Sequence, residues 1–175
     1  MRTLELKDIA GYLPHKLLVF KCKDNSLLYE VSGIQMWDNV IILVDYYIDN
    51  KFDTDAFNLS KVIPILRPLS DLYRPITHNG EEIIPIVECA KISFPNINWN
   101  FIHKYAYFEM GKSKWGYFEY IEHFRPGFSI SFNNGYVENY YQLFDYLHAL
   151  KIDYRGLIDE GLAVDANKLE INPYK

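Results

Sequence analysis

The sequence is poor in cysteine, and this argues against two kinds of small protein. Cys22 and Cys89 are its only cysteines among 175 residues, and neither belongs to a Cys-x-x-Cys motif or stands at zinc-ligand spacing from a histidine. A disulfide scaffold and a zinc module both use more thiols than this. We therefore expect two reduced thiols that serve as small apolar side chains.

Positive charge and long apolar runs are also scarce. Lys and Arg number 18 against 23 Asp and Glu, so the net charge is −5. Binding of nucleic acid or anionic lipid by the whole surface needs a positive field, which argues against both as partners. No stretch approaches the roughly 18 apolar residues of a membrane span. Residues 1–8 carry charges where a signal peptide has its apolar segment, so we expect a cytoplasmic protein with no membrane partner.

Glycine and proline are too few for a collagenous or low-complexity chain, at 9 and 8 positions. Hydrophobic residues make up 49% of the sequence and charged residues 23%, which suits a folded core. We find no linker or repeat and predict a single α+β domain over residues 1–175. Aromatic residues are abundant, and 18 of the 29 lie between positions 94 and 146.

The first half of the sequence shows strand patterns after a short helix. Apolar spacing over residues 4–13 predicts an amphipathic helix that Pro14 ends. Residues 17–23, 27–32 and 40–44 then predict three consecutive strands, the third apolar on both faces. Consecutive strands joined by turns make a meander. The stretch from 45 to 55 is acidic, and we expect an irregular loop there.

The second half predicts hairpins and one clear helix. Asn79-Gly80 suits a type I′ turn, because both residues tolerate positive φ, and Pro85 suits the first turn of a helix. Strands are expected over 101–110, 115–124 and 128–132. An apolar stripe over residues 139–151 predicts a helix, with Asn139 as its cap. The sum is an α+β fold with a largely antiparallel sheet, an N-terminal meander plus an aromatic-rich hairpin region, packed by a few helices.

Two motifs for chemistry fail when their spacing is examined. Gly111-Lys112-Ser113 looks like the end of a phosphate-binding loop, but that loop needs glycine five residues earlier, where Ala106 stands. The acidic stretch lacks calcium-loop spacing, because the fifth and sixth positions of a loop that starts at Asp53 would be Phe57 and Asn58. A hairpin turn and a solvated acidic loop are the simpler interpretations.

Nucleophile and metal motifs are also missing from the sequence. There is no Gly-x-Ser-x-Gly motif, and the histidines lie on different elements without metal-ligand spacing: His15, His78, His103, His123 and His148. We therefore name no catalytic residue, metal or cofactor.

One arrangement of residues offers a candidate ligand site. If residues 111–114 form a four-residue hairpin loop, opposing positions sum to 225 and one face carries four cross-strand pairs. These are Phe101 with Phe124, His103 with Glu122, Tyr105 with Tyr120, and Tyr107 with Phe118. The predicted ligand-binding residues are His103, Tyr105, Tyr107, Tyr120 and Glu122.

Two interpretations of this face are open. Its rings could stack a base or a sugar while His103 and Glu122 act as polar anchors or as an acid and base pair. Alternatively, the face packs under the helix over 139–151 and its rings are core, as rings at a period of two usually are. A slip of one residue in register would remove the pairs altogether.

Three parts of the chain resemble one protein family. They are LELKDIAGYLP at residues 4–14, PILRPLSDL at residues 64–72, and FDYL at residues 144–147 followed by GLIDEGLAVD at residues 156–165. In order and spacing they resemble a family of small uncharacterised proteins encoded by phages and prophages of Bacteroides-type bacteria. The resemblance implies a phage-related product in a bacterial cytoplasm and assigns no activity or site residue.

The sequence leaves three classes of function to compare. The leading hypothesis is a non-enzymatic phage or prophage accessory protein that binds a host protein or its own copies, because Tyr and Trp are enriched at contact surfaces. The alternative is a small-molecule or nucleotide binder, or an enzyme, that uses the aromatic face of the 101–124 hairpin. Nucleic-acid binding is the third class, and it would need four cations to converge: Lys104, Lys112, Lys114 and Arg125.

Overall fold

The computed structural model describes residues 2–22, 24–36, 40–48, 51–110, 114–122, 127–131, 137 and 139–175. Helices and mixed sheets occur together, so the chain has the α+β fold that its pattern predicts. The backbone divides into two units, Met1–Leu69 with His148–Pro173 and Ser70–Leu147 with Tyr174–Lys175. The single domain over residues 1–175 stays a prediction.

The described elements follow one another along the chain in this order. The strands are β1 (Leu18–Lys21), β2 (Asp24–Met36), β3 (Val40–Ile48), β4 (Lys51–Asn58), β5 (Val62–Pro68), β6 (Ile76–His78), β7 (Glu81–Ile83), β8 (Asn100–Ile102), β9 (Tyr105–Met110), β10 (Lys114–Ile121), β11 (Gly127–Ile130), β12 (Ile152–Asp153) and β13 (Val164–Asp165). The α-helices are α1 (Leu6–Ile9), α2 (Pro85–Ser93) and α3 (Tyr140–Ala149). No described helix is long and apolar enough to cross a membrane.

The first unit is built on a sheet with strand order β12-β5-β1-β2-β3-β4, and β13 also pairs with β5. Strands β1 to β3 form the predicted antiparallel meander, and β4, which the sequence pattern does not predict, extends it by one strand. The two short strands β12 and β13 run parallel to β5, which the sequence pattern does not predict. Such two-residue strands are too short to show a hydrophobic period.

Alternation along the meander directs one set of side chains into the core of the first unit. Val19, Val31 and Val44 are buried there, together with Tyr12 and Leu157. The third strand is less covered than predicted, because Ile42 and Val44 are buried whereas Ile41 and Leu43 are only half-buried. This strand therefore has one fully buried face rather than two.

The acidic stretch from 45 to 55 is not an irregular loop. Strand β3 continues to Ile48, and β4 pairs with it antiparallel from Ile41↔Asn58 to Ile48↔Lys51. Asp53 and Asp55 are therefore exposed residues of a strand, and Asp49 lies outside the described residues. The prediction failed because acidic residues are rare in strands, whereas pairing with a neighbour overrides that weak preference.

The N-terminal helix is shorter than its pattern predicts. Helix α1 ends at Ile9 and a 3-10 helix, Ala10–His15, follows and contains Pro14. The Asp8 carboxylate accepts a hydrogen bond from the Glu5 N–H at 2.9 Å, which satisfies one of the unpaired donors at the start of the helix.

The second unit contains the predicted Asn79-Gly80 hairpin. Strands β6 and β7 pair around these residues, whose φ values are +52° and +82°, as a type I′ turn requires. Helix α2 begins at Pro85, and α3 spans all but the ends of the predicted 139–151 helix. At its start, the Asn139 amide donates to the Ile92 carbonyl at 3.3 Å.

The second sheet of this unit has strand order β11-β10-β9-β8, all antiparallel. Its buried face carries Ala106, Phe118, Tyr120, Phe128 and Ile130. Helix α2 packs against β9 and β10. On the same buried face, the Phe128 ring lies 5.9 Å from the Phe144 ring of α3. Aromatic contacts thus form the core of the second unit.

Candidate functional site

The opposite face of the second sheet is exposed and rich in tyrosine. Tyr105 and Tyr117 are 40% and 42% exposed, and the isoleucines that end β8 and β10, Ile102 and Ile121, are 46% and 41% exposed. The Tyr107↔Tyr117 and Ile102↔Tyr105 pairs place these side chains on one side of the sheet. We call the following five residues the tyrosine face: Ile102, Tyr105, Tyr107, Tyr117 and Ile121.

The rings of the tyrosine face lie close enough to act as one surface. The Tyr105 and Tyr117 ring centroids are 5.5 Å apart with their planes tilted by 57°. Tyr107 is half-buried beside them. Large apolar side chains that a monomer leaves exposed next to one another commonly mark a site of interaction.

Acidic side chains accompany this face. Glu109 and Glu119 alternate in phase with Tyr107 and Tyr117, so they project from the same side of the sheet. Glu109 is exposed and Glu119 half-buried. Beyond the strand, burial raises the pKa of the Tyr73 hydroxyl, and the negative charges of Glu122 and Glu119 raise it further. Glu109 and Glu119 therefore add negative charge to the exposed side of the sheet.

The predicted register of the hairpin is wrong by one residue. Lys114 pairs with Met110, so only residues 111–113 connect the strands and opposing positions sum to 224. A shift of one residue sends alternate side chains to opposite faces. Tyr105 and Tyr107 stay together on the exposed face, whereas Tyr120 lies on the buried face with its ring 5.3 Å from that of Phe128.

The predicted pair of His103 and Glu122 does not form across the strands. His103 has a φ of +52° and lies exposed in the tight turn between β8 and β9, which interrupts the expected 101–110 strand. Glu122 follows the end of β10 and is also exposed, with its Oε1 at 3.8 Å from the Lys104 ammonium. Exposed pairs at this distance contribute little to stability.

Several predicted features fall outside the described residues. These are Gly111, Lys112 and Ser113 of the apparent phosphate loop, Phe124 of the predicted cross-strand pairs, and Arg125 of the cation set. Within the described ranges, no group of three or more His, Cys, Asp or Glu side chains could hold a metal ion. Any ligand role of His103, Tyr105, Tyr107, Tyr120 and Glu122 stays a prediction.

The two cysteines differ in their surroundings. Cys89 lies fully buried on α2, and burial raises the pKa of its thiol, so it is a poor nucleophile there. Cys22 is half-buried, and its Sγ donates weakly to the Ser60 carbonyl at 3.7 Å.

The first unit contains a polar cluster that the sequence analysis missed. Nε2 of His148 lies 2.9 Å from the Tyr154 hydroxyl, and the Arg155 Nε donates to the same hydroxyl at 3.1 Å. The His148 ring also meets the Tyr12 ring edge-on, with centroids 4.7 Å apart. No sequence motif indicates this cluster, because Tyr12 is far from His148 and Tyr154 in the sequence and only the tertiary structure brings them into contact.

A groove of about 470 Å³ lies on the sheet of the first unit. Leu18, Leu28 and Phe52 supply apolar walls, and Glu30 and Asp45 face one another across the β2–β3 register. Ser32 donates a hydrogen bond to Asp45 at 2.9 Å, and the Lys16 ammonium lies 3.9 Å from Glu30. These contacts give the two carboxylates partners within the chain.

The structure thus offers an exposed tyrosine face, an acidic surround and no described metal cluster. Comparison of the chain with protein-family models, with curated proteins and with solved structures finds no match.

Proposed function

We propose that this chain is a non-enzymatic binding protein whose tyrosine face engages a basic protein partner. The observation that carries the proposal is the exposure of Tyr105 and Tyr117 beside Ile102 and Ile121 on one side of a sheet. The phage or prophage origin and the cytoplasmic location implied by the family resemblance are part of the proposal. A host protein is then the natural partner.

The side chains of the face suit a protein contact. Tyrosine buries a large area with little loss of conformational entropy, and its hydroxyl can hydrogen-bond at the edge of an interface. Such residues are enriched among those that dominate binding energy. The flanking isoleucines widen the apolar area that a partner can cover.

Charge favours a basic partner over a second copy. Glu109 and Glu119 lie on the exposed side, and the whole chain carries a net charge of −5. Two copies that met through this face would bring like charges together, which opposes association. A partner with Lys and Arg around an apolar patch would meet complementary charge instead.

The test uses a double substitution with a matched tyrosine control. Tyr105→Ser with Tyr117→Ser removes the two exposed rings of the face and leaves the half-buried Tyr107, whereas Tyr141→Ser removes a ring that is 94% exposed on α3. Proteins from a Bacteroides-type host lysate are captured on the wild-type chain, and the recovered partner is then purified. Its affinity should fall at least about tenfold for the double variant and stay unchanged for Tyr141→Ser.

The partner itself gives a second criterion. It should be basic, and its affinity should weaken as salt is raised, because rim charges are screened. Equal affinity for the wild type and the double variant would contradict the proposal. A small molecule that copurifies with the wild type alone would favour the ligand-binding alternative. Salt-sensitive retention on DNA or RNA would favour nucleic-acid binding.

A further inference from the structure

Strand β4 forms one edge of the sheet in the first unit and is long for an exposed edge. It has eight residues, whereas the opposite side of that sheet carries β12 and β13 with two residues each. An edge strand presents a row of N–H and C=O groups that can pair with a strand of another molecule. A long edge of this kind is a route to self-association unless something blocks it.

Two carboxylates bind N–H groups of this same strand. Oδ1 of Asp53 accepts a hydrogen bond from the Thr54 N–H at 2.8 Å, and Oδ1 of Asp55 accepts one from the Ala56 N–H at 2.7 Å. Because residues two apart in a strand direct their N–H groups to the same side, both bonds lie along one side of β4. Each carboxylate thereby takes a donor that a ladder would need.

Asp53 has a further contact that holds its carboxylate in place. The Tyr46 hydroxyl of the neighbouring strand β3 donates to Oδ2 of Asp53 at 3.3 Å. Tyr46 and Asp53 are also direct partners in the β3–β4 register. One oxygen therefore binds β4 and the other binds β3, so the carboxylate is oriented from both sides.

We propose that Asp53 and Asp55 cover the outer edge of β4 and prevent the chain from pairing strand to strand with a second copy of itself. An antiparallel β4–β4 contact across a twofold axis would find these donors occupied. It would also bring the carboxylates of the two copies together, and like charges on facing strands are destabilising. This proposal is independent of the tyrosine face.

The test separates hydrogen bonding from charge. Asp53→Val with Asp55→Val removes both acceptors and both charges, whereas Asp53→Asn with Asp55→Asn removes the charges and keeps an acceptor oxygen at each position. Thr54→Val adds an apolar side chain to the same strand without touching either carboxylate. Sedimentation equilibrium over a wide range of concentration measures self-association of each variant.

The double valine variant should self-associate at least about tenfold more tightly than the wild type. The double asparagine variant should remain close to the wild type, and Thr54→Val should be indistinguishable from it. Association of the asparagine variant as tight as that of the valine variant would show that repulsion between carboxylates closes the edge, and it would overturn the proposal that their hydrogen bonds to Thr54 and Ala56 cover it. An unchanged valine variant would overturn it too.

Hydrogen exchange on the wild-type chain tests the same idea without any substitution. The N–H groups of Thr54 and Ala56 should exchange several-fold more slowly than the same N–H groups in an unstructured peptide with the sequence of β4. Exchange at the peptide rate at both positions would overturn the proposal even if the valine variant does not fold.

Discussion

Substitution of Gly11 by alanine should destabilise the protein because the His148 ring lies against this glycine. A Cβ at position 11 would stand 2.6 Å from Nδ1 of His148, and the ring atoms Cε1 and Nε2 would be nearer still. Real Cβ atoms do not approach other atoms so closely, so the ring must move. The φ of Gly11 is not positive, so an alanine there adds no backbone strain. The clash with the His148 ring is therefore the expected cause of the destabilisation.

The magnitude follows from what His148 loses when it moves. Its hydrogen bond with the Tyr154 hydroxyl contributes about 1 kcal/mol, and its edge contact with Tyr12 about 0.5–1.5 kcal/mol. A glycine-to-alanine change by itself stabilises by about 0.4–1 kcal/mol through the unfolded chain. We therefore expect Gly11→Ala to lower the free energy of unfolding by about 1–2 kcal/mol.

A double-mutant cycle with His148→Ala provides the decisive comparison. The three atoms nearest to a Cβ at position 11 all belong to this ring, so Gly11→Ala should be neutral or stabilising once the ring is removed. The coupling between the two positions should be about 2 kcal/mol. Urea denaturation followed by circular dichroism measures each corner of the cycle. An equal loss from Gly11→Ala with and without the ring would refute the reasoning.

Two further predictions concern buried ionisable groups of the same unit. Burial, with the charge of Arg67 adding to it, lowers the pKa of Lys151 from 10.5 to about 8. The unfolded chain therefore holds this proton more tightly, so the free energy of unfolding should rise from about pH 8 to pH 10.5, and Lys151→Met should flatten the rise in pH-dependent denaturation. Asp153, 3% exposed, accepts hydrogen bonds from the N–H groups of Leu157 and Ile158 at 3.0 and 2.7 Å. Asp153→Ala should lower the free energy of unfolding by about 3 kcal/mol, and Asp153→Asn should lower it by less because one acceptor oxygen remains. Equal shifts of the urea midpoint in the two variants would show that the loss of these hydrogen bonds does not cause the destabilisation.

Local signals in the sequence predicted the elements whose structure is decided locally. Asn79-Gly80 adopts positive φ at both positions because these residues tolerate it, so the turn could be predicted without any partner. The apolar stripe of α3 and the alternation in β2 work in the same way, since their periods are visible in the sequence. These segments required no knowledge of what they pack against.

Features decided by pairing were missed. The connection between β9 and β10 is one residue shorter than predicted, which places Tyr120 on the buried face while Tyr105 and Tyr107 lie on the exposed face. No local feature of the sequence indicates the length of this connection. Strand β4 was missed for a related reason. Its acidic residues disfavour a strand, and pairing with β3 stabilises the strand nevertheless. The predicted site residues are therefore divided between the two faces of the sheet.

Strand β5 has a consequence for the order in which the chain can be completed during synthesis. Its neighbours are β1 on one side and β12 and β13 on the other, so Ile65 and Arg67 pair with Val164 and Ile152. A growing chain that has reached residue 147 already contains nearly all of the second unit but still lacks both of these strands. A ribosome that stalls there would leave the backbone of β5 unpaired on that side, and the nascent chain would have the sheet edge that the full protein covers.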